Sequence, residues 1–187
     1  MDLMYVDLVI DPVHLPLGIT LRDLREGDET ALVAAYERNR EHLAPWDPAR
    51  PEDYYTERWQ AEDVLRQIAT RDAGSTYPVV LTHDGEIVGR SALTAIIRGP
   101  LQSAFLGYWV DARFTGGGVA SAVAAEMIRL AREDLKLHRL EAGAMLHNTG
   151  SRRVLERNGF EYIGIAKRYL RIAGEWQDHA LYQRILE

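Results

Sequence analysis

Val110-Asp111-Ala112-Arg113-Phe114-Thr115-Gly116-Gly117-Gly118-Val119-Ala120 is the stretch on which the reading of this chain turns. Upstream, Ser103 to Val110 alternates Ala104, Leu106, Tyr108 and Val110 against Phe105, Gly107 and Trp109. Both faces are apolar, the pattern of a central buried strand. Downstream, Ala120, Val123, Ala124, Met127, Ile128, Ala131 and Leu135 recur at three- and four-residue steps, with Arg129, Arg132 and Glu133 between them, which predicts an amphipathic helix. Between the two, three glycines remove every Cβ, permit positive φ and let a ligand approach the backbone. The first turn of a helix carries N–H groups without intrahelical partners and a partial positive charge. The loop from Arg113 to Ala120 therefore suits a phosphate or pyrophosphate.

Glycines before a helix also arise in plain flexible loops and caps, so spacing has to decide. No Lys-Ser/Thr follows the last glycine, as a nucleotide-hydrolase phosphate loop requires. Ser121 stands where the dinucleotide fingerprint needs its third glycine.

Working outward, Leu17 to Leu24 reads as the first core strand, preceded by residues 1–16 as a short extra strand or a loosely docked arm. Asp28 is placed to cap a helix through Ala31, Leu32, Ala34 and Ala35, which ends at Pro45-Trp46-Asp47-Pro48. Trp46 there either staples the loop to the core or walls a pocket. A second helix is expected over 51–71. Strands Tyr77–Thr82 and Glu86–Thr94 follow, joined tightly through His83-Asp84-Gly85. Beyond the long helix, Leu137 to Leu146 forms a strand whose crossover favours parallel pairing. Asn148 caps a short helix closed by Asn158-Gly159, and Phe160–Arg171 with Glu175–Leu186 makes a final hairpin around Ala173-Gly174.

Composition narrows the function classes. At 187 residues the chain suits one domain. A formal charge of −6 speaks against nonspecific nucleic-acid binding and is compatible with amine-bearing partners. No apolar run is long enough for a bilayer, and Met1-Asp2-Leu3 lacks the basic start of a secretion signal, so a cytoplasmic protein without membrane attachment is expected. Cysteine is absent, which removes disulfides, thiolate metal sites and a cysteine-bound acyl intermediate. The six histidines show no ligand spacing, so no metal is expected; His138 and His147 read as strand-end residues.

Arg113, Gly116 and Gly118 match Arg-x-x-Gly-x-Gly, which resembles the acyl-CoA loop of the GNAT family of N-acetyltransferases. Asn148-Thr-Gly-Ser151 followed by Asn158-Gly159-Phe160, and Asn39-Arg40-x-x-Leu43-x-Pro-Trp46, are similar to segments of its RimJ/RimL type, whose members modify protein N-terminal amines. The resemblance covers 17–187. It implies an α/β (α+β) fold with a mixed, mostly antiparallel sheet of about seven strands flanked by four helices. It also implies acetyl-CoA as co-substrate and direct acetyl transfer to a primary amine. The acceptor expected is a protein or peptide N-terminus. A small antibiotic or metabolite amine, and a non-catalytic acyl-CoA-binding module, are the alternatives, and a homodimer is left open.

Roles carried over by the resemblance are specific. Amides of Arg113, Phe114, Thr115, Gly116, Gly117, Gly118, Val119 and Ala120 hold the pyrophosphate, with Arg113 adding charge. Main-chain groups of Trp109 and Val110 receive the pantetheine arm, and the Val110 amide polarises the thioester oxygen. Asn148 contacts pantetheine or substrate. Ser151 protonates the leaving thiolate, because Leu155 occupies the position where many relatives place a tyrosine. Asn39, Arg40, Trp46 and Tyr108 contact the acceptor. Lys167-Arg168-Tyr169-Leu170-Arg171 contains no carboxylate where some relatives keep a glutamate base. Deprotonation is therefore expected through water held by Asp111, Glu41 or carbonyls, or by selection of the free amine.

Overall fold

The computed structural model describes residues 8–186. Eight strands form one sheet: β1 Val13–His14, β2 Thr20–Asp23, β3 Tyr77–His83, β4 Glu86–Ile97, β5 Ser103–Val110, β6 Arg139–Met145, β7 Glu161–Ile172 and β8 Glu175–Ile185, in spatial order β1-β2-β3-β4-β5-β6-β8-β7. Five α-helices flank it: α1 Glu29–Arg38, α2 Arg40–Leu43, α3 Glu57–Asp72, α4 Val119–Arg129 and α5 Thr149–Arg157. All neighbouring strands are antiparallel except β5 and β6, which the α4 crossover makes parallel.

Helices cover both faces. The larger core joins the sheet to α4 and α5 through residues such as Val123, Met127, Leu140 and Leu155; the smaller packs Leu32, Ala35 and Tyr36 of α1 and Val64 of α3 against Val80 and Ile87. On β5, Ala104, Leu106 and Val110 enter the larger core with Tyr108 packed against it, whereas Trp109 packs against the smaller one. Gly107 shares the Trp109 face but is exposed, so the expected apolar burial is interrupted on that face.

Local signals show up where short-range geometry decides. Asp84 and Gly85 have φ of 48° and 83°, the two positive angles of a two-residue hairpin turn. The Asn148 side chain accepts a hydrogen bond from the Ser151 N–H and starts α5.

Other boundaries differ from expectation for tertiary reasons. Pro16–Gly18 forms a 3-10 turn with Leu17 at φ 60°, so the first long strand begins only at Thr20. Leu17 leaves the strand pattern to pack against Gly117, where a Cβ would collide with its Cδ1. Val13–His14 adds a two-residue strand beside β2, which brings the sheet to eight strands rather than about seven; residues 1–7 of the expected arm lie outside the described residues. Asp28 precedes α1 without capping it, because its carboxylate pairs with Arg22 at 2.7 Å. The expected first helix splits at Asn39. The second is a 3-10 turn, Glu52–Tyr55, and then α3, which Thr56 caps by accepting from the Trp59 N–H. The long helix ends as a π turn, Leu130–Asp134.

Candidate active site

Strands β5 and β6 pair for only three residues: Ser103 with Arg139, Ala104 with Leu140 and Phe105 with Glu141. β5 then runs on to Val110 along β4, and β6 to Met145 along β8, so the sheet parts between them. The Asp111 N–H bonds the Val88 carbonyl on the β4 side at 2.8 Å. Main-chain groups alternate edges along a strand, so the N–H and C=O of Val110 and Tyr108 face the parting, while those of Trp109 face β4. The Val110 amide thus lies where an acyl oxygen could accept from it. Trp109 lines the opening through its ring, which meets Tyr36 at 5.4 Å between centroids, and not through its main chain.

At the end of β5 the chain is locked by Asp111, which is 1% exposed. Its carboxylate accepts from Arg38 Nε (2.7 Å), Asn39 Nδ2 (3.0 Å), the Arg113 N–H (2.9 Å) and Arg113 Nε (3.1 Å). Burial works to raise its pKa, but these bonds outweigh it and hold the group well below the usual carboxylate range. Asp111 is therefore a permanently charged anchor and a poor proton acceptor, contrary to its expected part in deprotonation. Glu41, the other carboxylate considered, is exposed on α2.

The same network corrects two further expectations. Asn39 is 1% exposed; its Nδ2 serves Asp111 and the Ala35 carbonyl, and its Oδ1 accepts from the Ala112 N–H at 3.0 Å. Its polar atoms are all engaged, so it joins the α1–α2 junction to the glycine loop instead of touching an acceptor. Arg113 also bonds Glu86 Oε2 at 2.7 Å, which balances the charge expected to meet a phosphate.

Of the amides expected to hold a pyrophosphate, those of Arg113, Phe114, Thr115 and Gly117 already donate, to the Asp111 carboxylate and to the carbonyls of Asp111, Ala112 and Phe114, which leaves Gly116, Gly118 and the start of α4. Gly116 and Gly118 have φ of 83° and 79° and open space where a Cβ would stand, while Gly117 is required by Leu17. Gly118 is the N-cap of α4, so the N–H groups of Val119 and Ala120 in its first turn point toward that open space; Phe114 and Thr115 form the approach to it. A row of bare amides at a helix start, beside a parted strand edge, fits a pyrophosphate with an extended arm.

Across the parting, Tyr108 Oη and Ser151 Oγ lie 3.0 Å apart. Burial pushes the Tyr108 hydroxyl up to about 12, against the opposing effect of its Ser151 bond, so it stays protonated at neutral pH. Tyr108, expected beside the acceptor with Trp46, is hydrogen-bonded to Ser151. Trp46 stacks on His147 at 5.5 Å. Arg40 lies over the Tyr55 ring at 4.3 Å and pairs with Glu52, on the rim of a hollow of about 310 Å³ lined by Tyr36, Leu43, Asp47, Arg50 and Tyr54. Among the described residues no group of three or more His, Asp or Glu side chains is gathered to hold a metal. None of the described helices is long and apolar enough to cross a membrane.

A parallel strand pair that parts beside a glycine-rich helix start, with a protonated hydroxyl pair on one wall, defines an acyltransferase that draws its acyl group from coenzyme A. The chain belongs to the GNAT acetyltransferase family: residues 19–161 match the family described as Acetyltransferase (GNAT) domain, and it is an acetyl-CoA-dependent N-acetyltransferase. It is 31% identical over 165 residues to the [ribosomal protein uS5]-alanine N-acetyltransferase of Escherichia coli, covering 87% of this chain and 85% of that protein. The RimJ of Mycobacterium smegmatis, solved in complex with CoA-disulfide, superposes with a TM-score of 0.88 at 34% identity over 95% of this chain and 87% of that one. The ribosomal-protein-S5-alanine acetyltransferase from Vibrio fischeri gives a TM-score of 0.89 at 27% identity over 97% and 98%.

Proposed function

We propose that this enzyme acetylates the N-terminal α-amine of a protein, with ribosomal proteins as the acceptor class and the cytoplasm as its place of work. The similarity that carries this reading is the 31% identity to the uS5-alanine enzyme across 87% of the chain. The open, exposed face of the parting at Gly107 supports it, since a protein terminus needs an unobstructed approach.

Acetyl-CoA supplies the acetyl group as a thioester. The amides of Gly116, Gly118, Val119 and Ala120 hold its phosphates, and the Val110 N–H meets the acyl oxygen. Ser151 Oγ, 3.0 Å from the Tyr108 hydroxyl, offers its proton to the leaving sulfur, and Tyr108 can then donate to Oγ in turn. Ser151→Ala is expected to lower kcat about 10²-fold, and Tyr108→Phe about tenfold, the worth of one hydrogen bond. In both variants the KM for acetyl-CoA should stay within about twofold in steady-state assays, because neither hydroxyl holds the phosphates.

The acceptor is tested by mass spectrometry after incubation with acetyl-CoA. Ribosomal proteins and peptides with free Ala or Ser α-amines are compared with α-blocked lysine peptides and small amines. Acetylation confined to α-amines is expected. Transfer to small amines alone, or to nothing, overturns the reading.

A further inference from the structure

Gly143 on β6 faces away from Ala142 and Ala144, which enter the larger core, just as Gly107 on β5 faces away from Leu106. Two exposed glycines therefore stand on the same face of the sheet, one on each wall of the parting. That face is opposite the Tyr108–Ser151 pair. Beside Gly143 stands a residue that neither motif contains.

His179 on β8 is paired with Met145 of β6, and Leu181 with Gly143. Directly paired residues project from the same face, so His179 shares the Gly143 face while Ala180 and Tyr182 enter the core. The ring is only 4% exposed. Its Nδ1 lies 3.1 Å from the Gln177 carbonyl oxygen, which can only accept, so Nδ1 carries the proton and Nε2 is a bare lone pair. Nε2 has no hydrogen-bond partner among the described residues. The adjoining Cδ2 lies 3.7 Å from the place a Gly143 Cβ would take, so the ring edge that carries Nε2 borders Gly143, with Leu181 Cδ2 at 3.5 Å and Tyr169 Cε1 at 3.9 Å from the same place. Tyr169 of β7 packs against the ring, with centroids 5.5 Å apart. The groups beside the ring are Tyr169 from β7, Gly143 and Met145 from β6, and the Gln177 carbonyl from β8. The Asp178 carboxylate is engaged by the Arg168 N–H at 2.8 Å.

We propose that His179 is the general base of the transfer, supplying the proton acceptor that the carboxylate-free stretch from Lys167 to Arg171 lacks. Nε2 takes one proton from the acceptor ammonium, directly or through one water, converting R–NH3+ and imidazole into R–NH2 and imidazolium. The imidazolium returns that proton to solvent before the next turnover. Of the two protons the amine loses overall, this one goes to solvent and the other to the departing thiol. The assignment rests on an amine acceptor entering from the Gly107–Gly143 face, and not on which protein carries the amine.

Two measurements test it on the full chain. In 15N-histidine NMR of the wild type, the neutral His179 ring is expected as the Nδ1–H tautomer with Nε2 bare; the Nε2–H tautomer overturns the proposal without any acceptor being known. In steady-state assays with a peptide that the wild type acetylates, His179→Gln is expected to lose about 10²-fold in kcat/KM at neutral pH. Its acid limb should move up toward the α-amine's own value, about 8. Acetyl-CoA affinity by calorimetry and Tm should stay near wild type. An unchanged pH profile overturns the proposal, as does a rate loss matched by lost acetyl-CoA binding and Tm, which would mark a packing role. Failure of the wild type on every peptide would instead strike the N-terminal reading, with the tautomer still deciding for His179.

Discussion

Asp111→Ala is expected to destabilise the enzyme by about 2–4 kcal/mol. Removing one partner of a buried pair costs roughly 3–5 kcal/mol where the remaining charges stay buried. Here Arg38 and Arg113 keep 27% and 47% side-chain exposure and regain water, which discounts the loss. The buried Asn39 amide and the Arg113 N–H do lose an acceptor. For a chain of this length the Tm should fall by roughly 5–12 °C, read by thermal circular dichroism at pH 7. The sign of the pH dependence follows from the depressed pKa. The contribution of Asp111 is fully present above its unfolded value, about 3.9, and is lost as pH falls through the lower folded value. The wild-type advantage over the variant should therefore be intact at pH 5 and shrink at pH 2. A Tm within about 1 °C of wild type at neutral pH would show that the network is not the anchor described here.

Gly116→Asp is expected to weaken acetyl-CoA binding by more than about 10²-fold in calorimetric titration. Two effects add. A side chain at φ 83° costs about 1–2 kcal/mol, and the new carboxylate enters the open space in front of the α4 amides, where a phosphate would otherwise be favoured. Gly117→Ala is the internal control. Its methyl meets the flexible end of Leu17 rather than the open face, so it should lower Tm slightly and leave acetyl-CoA affinity near wild type. Equal binding losses in the two variants would mean that the loop is sensitive to any added bulk and that its amides do not hold the phosphates.

The glycine loop, the Asp84-Gly85 turn and the Asn148 cap could be read from the chain because each depends on atoms a few residues apart. Ser151 was legible through its place in the Asn-x-x-Ser segment, but its partner was not. Tyr108 lies 43 positions earlier, and it meets Ser151 only because β5 and α5 pack across the parting. Asn39 and Arg113 were both visible as polar residues in suggestive motifs. Their tertiary partners were not, because Asp111 lies 72 positions from Asn39 and Glu86 lies 27 positions from Arg113. His179 stands in no motif at all. The only local trace is Gly143, a small residue at an exposed strand position, whose meaning depends on Gly107 facing it from another strand.

Backbone freedom and hydrophobic period therefore determined from sequence alone that this chain has a strand, a glycine turn suited to a phosphate and a helix in succession, while acyl-CoA as the ligand was implied by the family resemblance of Arg113, Gly116 and Gly118. Both act within one turn or one strand, so no neighbour is needed to read them. Which side chains stand at that site was decided only by the tertiary structure. β5 and β6 separate after three pairs, and a side chain's job then depends on which wall of the gap it reaches and on which distant group already holds its polar atoms.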